Sequence, residues 1–161
     1  MSEAGKYPLY AVIRIRGIPR RRPEERKTLE LLRLHKKFHA VVVRATPSIK
    51  GMLKVVENVV TYGEIDVDTL ALLIERRGRL RGNKRVTQEY LERIGFKSFR
   101  ELAEAIYEGK VDIRDLPDFK PVFRLHPPSK GFKGTIKKHY RDGGELGYRG
   151  EAINELIRRM A

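Results

Sequence analysis

The sequence predicts an α/β sandwich, with helices packed on one face of a small, mainly antiparallel sheet. Three observations carry that expectation. The first 60 residues read strand, helix, strand, helix; the runs at 10–16 and 39–44 are rich in β-branched residues; and the apolar residues beside them recur at three- and four-residue steps.

Tyr-Ala-Val-Ile-Arg-Ile-Arg at 10–16 alternates apolar residues with Arg14 and Arg16, the pattern of a strand with one buried face and both arginines on the other. Gly17-Ile18-Pro19 ends it. Arg20, Arg21 and Arg22 then form a basic turn, and Pro23 opens a helix with Glu24 and Glu25 in its first turn and Leu29, Leu31, Leu32 and Leu34 as its apolar face. His-Ala-Val-Val-Val-Arg at 39–44 suits a buried central strand. Thr46-Pro47 reads as an N-cap followed by proline at the first helical position. Beyond it Ile49, Met52, Leu53, Val56, Val59 and Val60 trace an amphipathic helix.

Tyr62 to Ile65 reads as a turn or short strand. Three helices are expected after Asp66: one through Val67, Leu70, Leu73 and Ile74, a short one through Tyr90, Leu91 and Ile94, and one with a capping box at Ser98 and Glu101 above Leu102 and Ile106. The segment 76–85 carries six cations, two glycines and no acid, and is expected to be a loop. Pro121 to His126 reads as a strand, Asp142 to Gly147 as a glycine turn cluster, and Ile153, Leu156, Ile157 and Met160 as a last helix. The order fits a ferredoxin-like unit.

The 161 residues include 35 Lys and Arg against 21 Asp and Glu, a formal net charge of +14, with 40% hydrophobic residues to build a core. Such an excess calls for a polyanion, because each phosphate neutralised releases condensed counterions. An anionic membrane surface is the rival; no apolar run approaches a spanning helix, and the N-terminus lacks the apolar core of a signal peptide. No cysteine is present, which excludes disulfides, thiolate metal sites and thiol nucleophiles.

The basic residues fall in patches. Arg14, Arg16 and the turn Arg20 to Arg22 form one, and Arg76, Arg77, Arg79, Arg81, Lys84 and Arg85 a second. A third, from Phe119 to Arg141, has no acid and contains Lys120, Arg124, Lys130, Lys133, Lys137, Lys138 and Arg141. Together they are expected to present one surface to phosphates, with Gly78, Gly82, Gly131 and Gly134 letting backbone approach RNA and Phe132, Tyr140 and Tyr148 set to stack on unpaired bases. Gly144, Gly147 and Gly150 lack the spacing of a dinucleotide fingerprint, and Gly78 to Lys84 lacks the ending of a P-loop. His35 and His39 are four apart but span a helix-to-strand change. Glu64, Asp66 and Asp68 read more simply as helix caps than as magnesium ligands. No catalytic residue, metal site or cofactor is expected. The rival readings are a nucleic-acid-processing enzyme or modification cofactor, recognisable by a concave pocket with a perturbed titratable group, and a free regulatory RNA or DNA binder.

Three stretches resemble the ribosomal protein L-thirty family of the large subunit in its archaeal form, whose eukaryotic counterpart is called L-seven. They are Tyr10 to Ile18 with the leucine run 29–34; Ser48-Ile-Lys-Gly-Met-Leu-Lys-Val-Val-Glu57 with Tyr62-Gly63 and Ile74-Glu-Arg-Arg-Gly78; and Phe123-Arg-Leu-His-Pro-Pro128 with the glycine cluster 143–147 and Ile153 to Met160. The resemblance runs from about residue 9 to the C-terminus. It implies a single domain with a ferredoxin-like core at about 8–65 plus the strand near 121–126, a helical insertion at about 66–118 and a basic C-terminal extension at about 127–161. It also implies a structural, non-catalytic role in the cytoplasmic ribosome: one copy, buried in large-subunit ribosomal RNA near the five-S ribosomal RNA, beside other ribosomal proteins and not as a homo-oligomer. RNA contact is carried over to Arg14 and Arg16, to Arg76 and Arg77, and to the lysines after Pro128.

Overall fold

The computed structural model describes residues 7–17 and 22–161. The predicted turn residues Arg20 and Arg21 lie outside them. Nine strands and six helices are described: β1 (Leu9–Arg14), α1 (Pro23–Leu31), β2 (His39–Arg44), α2 (Pro47–Val55), β3 (Val60–Glu64), α3 (Val67–Arg77), β4 (Arg79–Leu80), β5 (Lys84–Arg85), α4 (Gln88–Arg93), α5 (Phe99–Tyr107), β6 (Phe119–Lys120), β7 (Phe123–Arg124), β8 (Thr135–His139), β9 (Gly144–Tyr148) and α6 (Ile153–Met160). Six strands form one sheet in the order β7-β2-β1-β3-β9-β8, and β5-β4-β6 form a small second sheet. β1 pairs antiparallel with β2 and β3, β2 antiparallel with β7, and β3 parallel with β9. The mainly antiparallel α/β sandwich is thus as predicted.

The alternation of side chains divides the interior in two. On one face Tyr10, Val12, Val41 and Val60 pack against Leu29 of α1 and Leu53 of α2, the pair of helices expected there. On the other, Leu9, Ala11, Ile13, Ala40 and Val42 meet α3, α4, α5 and α6 through Leu70, Leu73, Leu91, Leu102, Ile106, Leu156 and Ile157. The added helices therefore cover the second face, and β1 is buried along its whole length rather than on one side. At roughly 1.5–3 kcal/mol for each large apolar side chain taken fully out of water, these two layers are the main source of stability.

Local signals set most element ends. The Thr46 hydroxyl accepts from the Ile49 N–H, the Asp66 carboxylate from Thr69, Thr87 from Tyr90 and Ser98 from Glu101, so four helices begin on side-chain caps. The Glu101 carboxylate reaches back to the N–H of Lys97, one residue outside the simple capping box.

Four expectations need correcting. The helix ends at Val55, and Val59 and Val60 lead into β3, because the sheet supplies hydrogen-bond partners on both sides of that strand. Leu31 is 64% exposed; the chain turns after it and buries Leu32 and Leu34 instead. The basic stretch 76–85 is the end of α3 followed by a hairpin, β4 and β5, held by pairing of β4 with β6 and turning through Gly82 and Asn83, both at positive φ. The glycine cluster includes a strand, β9. Its neighbour turns inward so closely that a Cβ on Gly63 of β3 would run into the carbonyl of Gly150, which is why glycine stands at 63.

Candidate nucleic-acid interface

One end of the large sheet gathers most of the predicted cations. At that end β1 finishes while β2 and β3 begin. His39 stands opposite Arg124 on β7, Phe38 donates its N–H to the Arg14 carbonyl, Arg16 reaches the Asn58 carbonyl at 3.4 Å, and Asn58 meets the His139 ring at 3.0 Å. The rim thus runs from β7 to β8, the two edge strands, a span of about 24 Å at ~4.8 Å per strand step. At the β7 side it is continued by the hairpin. Arg79 stands opposite Arg85 on one neighbour strand and opposite Lys120 on the other.

Like charges facing each other across strands are destabilising. Among the described residues none of Arg76, Arg77, Arg79, Arg81, Lys84, Arg85, Lys120 or Arg124 forms an ion pair with a carboxylate. Burial, and then the guanidiniums of Arg85, Arg77 and Arg124, hold Arg79 below the ordinary arginine value. The Nε of Arg77 is buried with no hydrogen-bond partner among the described residues. Burial likewise lowers His39, reinforced by Arg124, His35, Lys36 and Arg14. The arrangement stores positive potential that an anion would relieve.

The hairpin carries these charges on a firm base. Leu80 packs on the core, Val86 and Phe119 are buried beside it, and the Arg81 N–H donates to the Asp118 carbonyl at 2.7 Å. The other predicted cations divide. Lys130, Lys137 and Lys138 are exposed, the last two on the edge strand β8, where lysines also discourage edge-to-edge pairing. Lys133 pairs with Glu155 at 3.0 Å, Arg141 approaches Asp142 at 3.9 Å and Arg22 approaches Glu25 at 3.6 Å, so each is partly neutralised.

Arg14 does not share a solvent face with Arg16. It is 2% exposed, and its guanidinium donates to the carbonyls of Leu34 and Arg16 at 2.8 and 3.0 Å. The connection from α1 to β2 crosses the end of β1 and needs a donor for its carbonyl. A charge that alternation assigns to the surface is therefore an internal fastening. Lys120 and Arg124 belong to a basic patch visible in the sequence, whereas His39, which stands beside Arg124 on the rim, does not. Lys120 and Arg124 stand in the acid-free stretch 119–141, which was the signal for them; His39 has no such signal, since only strand pairing places it beside Arg124.

Of the aromatics expected to stack on bases, Phe132 packs on Phe38 with ring centroids 6.4 Å apart, and Tyr140 has the Arg149 guanidinium 4.9 Å over its ring. Tyr148 is half exposed.

The sheet's opposite end holds a cavity of about 320 Å³ lined by Val42, Arg44, Ile49, Ile106, Asp112 and Arg114. It lacks a poised acid or base. Arg44 donates to the carbonyls of Tyr7, Ile106 and Tyr107, and hydrogen bonding from Arg114 holds Asp112 below the usual carboxylate range. These are structural contacts, not the converging groups of a catalytic pocket. No described helix is long and apolar enough to cross a membrane.

The sequence pattern of the family "Ribosomal protein L30p/L7e" matches residues 10–60, which span β1 through the start of β3. Over 153 residues the chain is 62% identical to a "Large ribosomal subunit protein uL30" of Thermofilum pendens, covering 94% of this chain and 98% of that one. It is 52% identical to the protein of that name in Archaeoglobus fulgidus, covering 94% and 99%, and 54% identical to that of Hyperthermus butylicus, covering 94% and 90%.

Proposed function

Since the chain belongs to the L30p/L7e family of ribosomal proteins, and is by that membership a structural component of the large subunit in the cytoplasmic ribosome and not an enzyme, we propose that its basic rim holds folded ribosomal RNA, chiefly through the phosphate backbone. The observation that carries this reading is the run of like-charged neighbours Arg85-Arg79-Lys120, extended by Arg124 opposite His39, with no carboxylate among them. A fold that sets guanidiniums opposite one another needs an outside anion to become favourable. Phosphates supply it without any demand for a particular base.

The mechanism is positional. The two apolar layers fix where each strand ends, the strand ends fix the cations, and the cations neutralise phosphates so that crowded RNA segments can approach. Arg16, Lys130, Lys137, Lys138 and Arg141 extend the same footprint towards β8; Arg76, Arg77, Arg81 and Lys84 extend it along the hairpin. The proposal includes a place near the five-S ribosomal RNA and a single copy per ribosome.

Affinity for a large-subunit RNA fragment, measured across a salt series, tests the reading. With about eight phosphates contacted, log affinity should fall with log salt at a slope of roughly −6 to −7. A salt-insensitive complex, or migration as a free small protein when lysate is fractionated at moderate salt, would overturn it.

A further inference from the structure

One surface runs against the chain's positive excess. On the face of the large sheet where α1 and α2 sit, three tyrosines from adjacent strands pack ring to ring: Tyr10 on β1, Tyr62 on β3 and Tyr148 on β9, with centroids 5.8 to 6.0 Å apart. The three rings form a triangle whose members differ in exposure. Tyr10 is 6% exposed, Tyr62 is half-buried, and Tyr148 is 50% exposed. The Tyr148 hydroxyl donates to the Glu64 carboxylate, 2.6 Å from the nearer oxygen, which fixes the direction of the ring.

Apart from the tyrosines themselves, the charged groups that act on these three hydroxyls are all carboxylates: Glu64 on Tyr10, Glu57 on Tyr62, and Glu64 with Glu151 on Tyr148. Among the described residues none of Glu57, Glu64 and Glu151 has a cation within ion-pair distance. In a chain with 35 Lys and Arg, three carboxylates without a cationic partner among the described residues, set around an aromatic cluster, form a surface complementary to a cation.

We propose that this face docks an arginine-bearing segment of a neighbouring protein, its guanidinium lying over the Tyr148 ring and pairing with Glu64 and Glu151. The face of a tyrosine ring is electron-rich and attracts a cation within about 6 Å. A guanidinium can stack flat on it while its edge donates two hydrogen bonds to a carboxylate, which a lysine ammonium cannot do at once. A phosphate backbone is repelled by the same carboxylates, so RNA is the disfavoured occupant. The inference goes beyond the RNA reading of the rim and does not rest on it.

The test uses the full chain and three labelled probes at low salt: a capped hexa-arginine peptide, a hexalysine peptide and a short oligouridine. Fluorescence anisotropy should show hexa-arginine binding more tightly than hexalysine. Tyr148→Ala and Glu64→Gln should each weaken it by about three- to tenfold, while Tyr148→Phe, which keeps the ring, should bind more tightly than Tyr148→Ala. Oligouridine affinity should be the same in all four proteins, and matching urea midpoints show that the variants fold. The proposal is overturned if hexa-arginine does not bind, or if it binds the wild type and both weakened variants equally. It is equally overturned if Tyr148→Ala lowers oligouridine affinity and leaves the arginine peptide untouched, since the face would then belong to RNA.

Discussion

Arg149 follows β9 of the large sheet and Arg79 stands on β4 of the small one, and their surroundings assign them opposite tasks. Arg149 is buried beside β9, where its guanidinium donates to the Glu145 carboxylate at 2.5 Å, to the Glu145 carbonyl and to the Thr61 hydroxyl at 2.7 Å each. Every bond ties β9 to itself or to β3. Arg79, on the rim, has guanidiniums and an ammonium as neighbours and only backbone carbonyls to satisfy it. Charge count is therefore a poor measure of binding capacity. What decides is whether the fold itself provides the acceptors.

That contrast can be broken in four ways, in falling order of effect. Arg149→Met leaves Glu145 buried without its cation and should cost about 3–5 kcal/mol of stability, read as a lower urea midpoint, with RNA affinity of the folded fraction unchanged. Arg14→Met leaves the Leu34 carbonyl without its donor and should cost roughly 1–3 kcal/mol. The salt slope of RNA binding should stay as it was; a reduced slope would return Arg14 to the interface. The double variant Arg79→Ala with Arg85→Ala should behave in the reverse manner. Its RNA affinity should drop and its salt slope become shallower by about 2, while its melting temperature holds or rises because a repulsive cross-strand pair is gone.

The smallest effect concerns pH. Burial first, then Arg124, His35, Lys36 and Arg14, hold His39 below its unfolded value of about 6.5. Below that value the unfolded chain takes up the proton more readily than the folded one. The contribution of neutral His39 is therefore complete above about pH 6.5 and is lost as pH falls through the lower folded value. Urea midpoints between pH 5 and 7.5 should decline on the acid side, and His39→Gln should flatten that decline.

Local chemistry was legible where one residue decides the outcome. Thr46-Pro47, Asp66 and Ser98 mark helix starts because a side-chain oxygen next to free N–H groups needs no distant partner. Where the deciding partner is far along the chain, the sequence misleads. Val59 and Val60 continue a helical spacing, yet pairing with β1 draws Val60 into the sheet. Asp142 to Gly147 looks like a turn because glycine disfavours strands, yet pairing with β3 makes a strand of Gly144 to Tyr148. The site divides the same way. The acid-free stretch 76–85 announces its charge, but the pairing that sets Arg79 between Arg85 and Lys120 depends on a strand forty residues away, and Arg14 is hidden by a connection that alternation cannot foresee.

The place of β9 and α6 has a consequence for how the protein is made. Residues 144–161 supply a strand flanking β3 and a helix whose Ile153, Leu156, Ile157 and Met160 are fully buried. Synthesis delivers them after the other described strands and long helices. A nascent chain that has not yet released them exposes one edge of β3 and the apolar underside of the sheet, both prone to association with other chains. Closing the core must then wait for residues 144–161 to leave the ribosome that translates them, so that a product truncated before β9 leaves its apolar layer open.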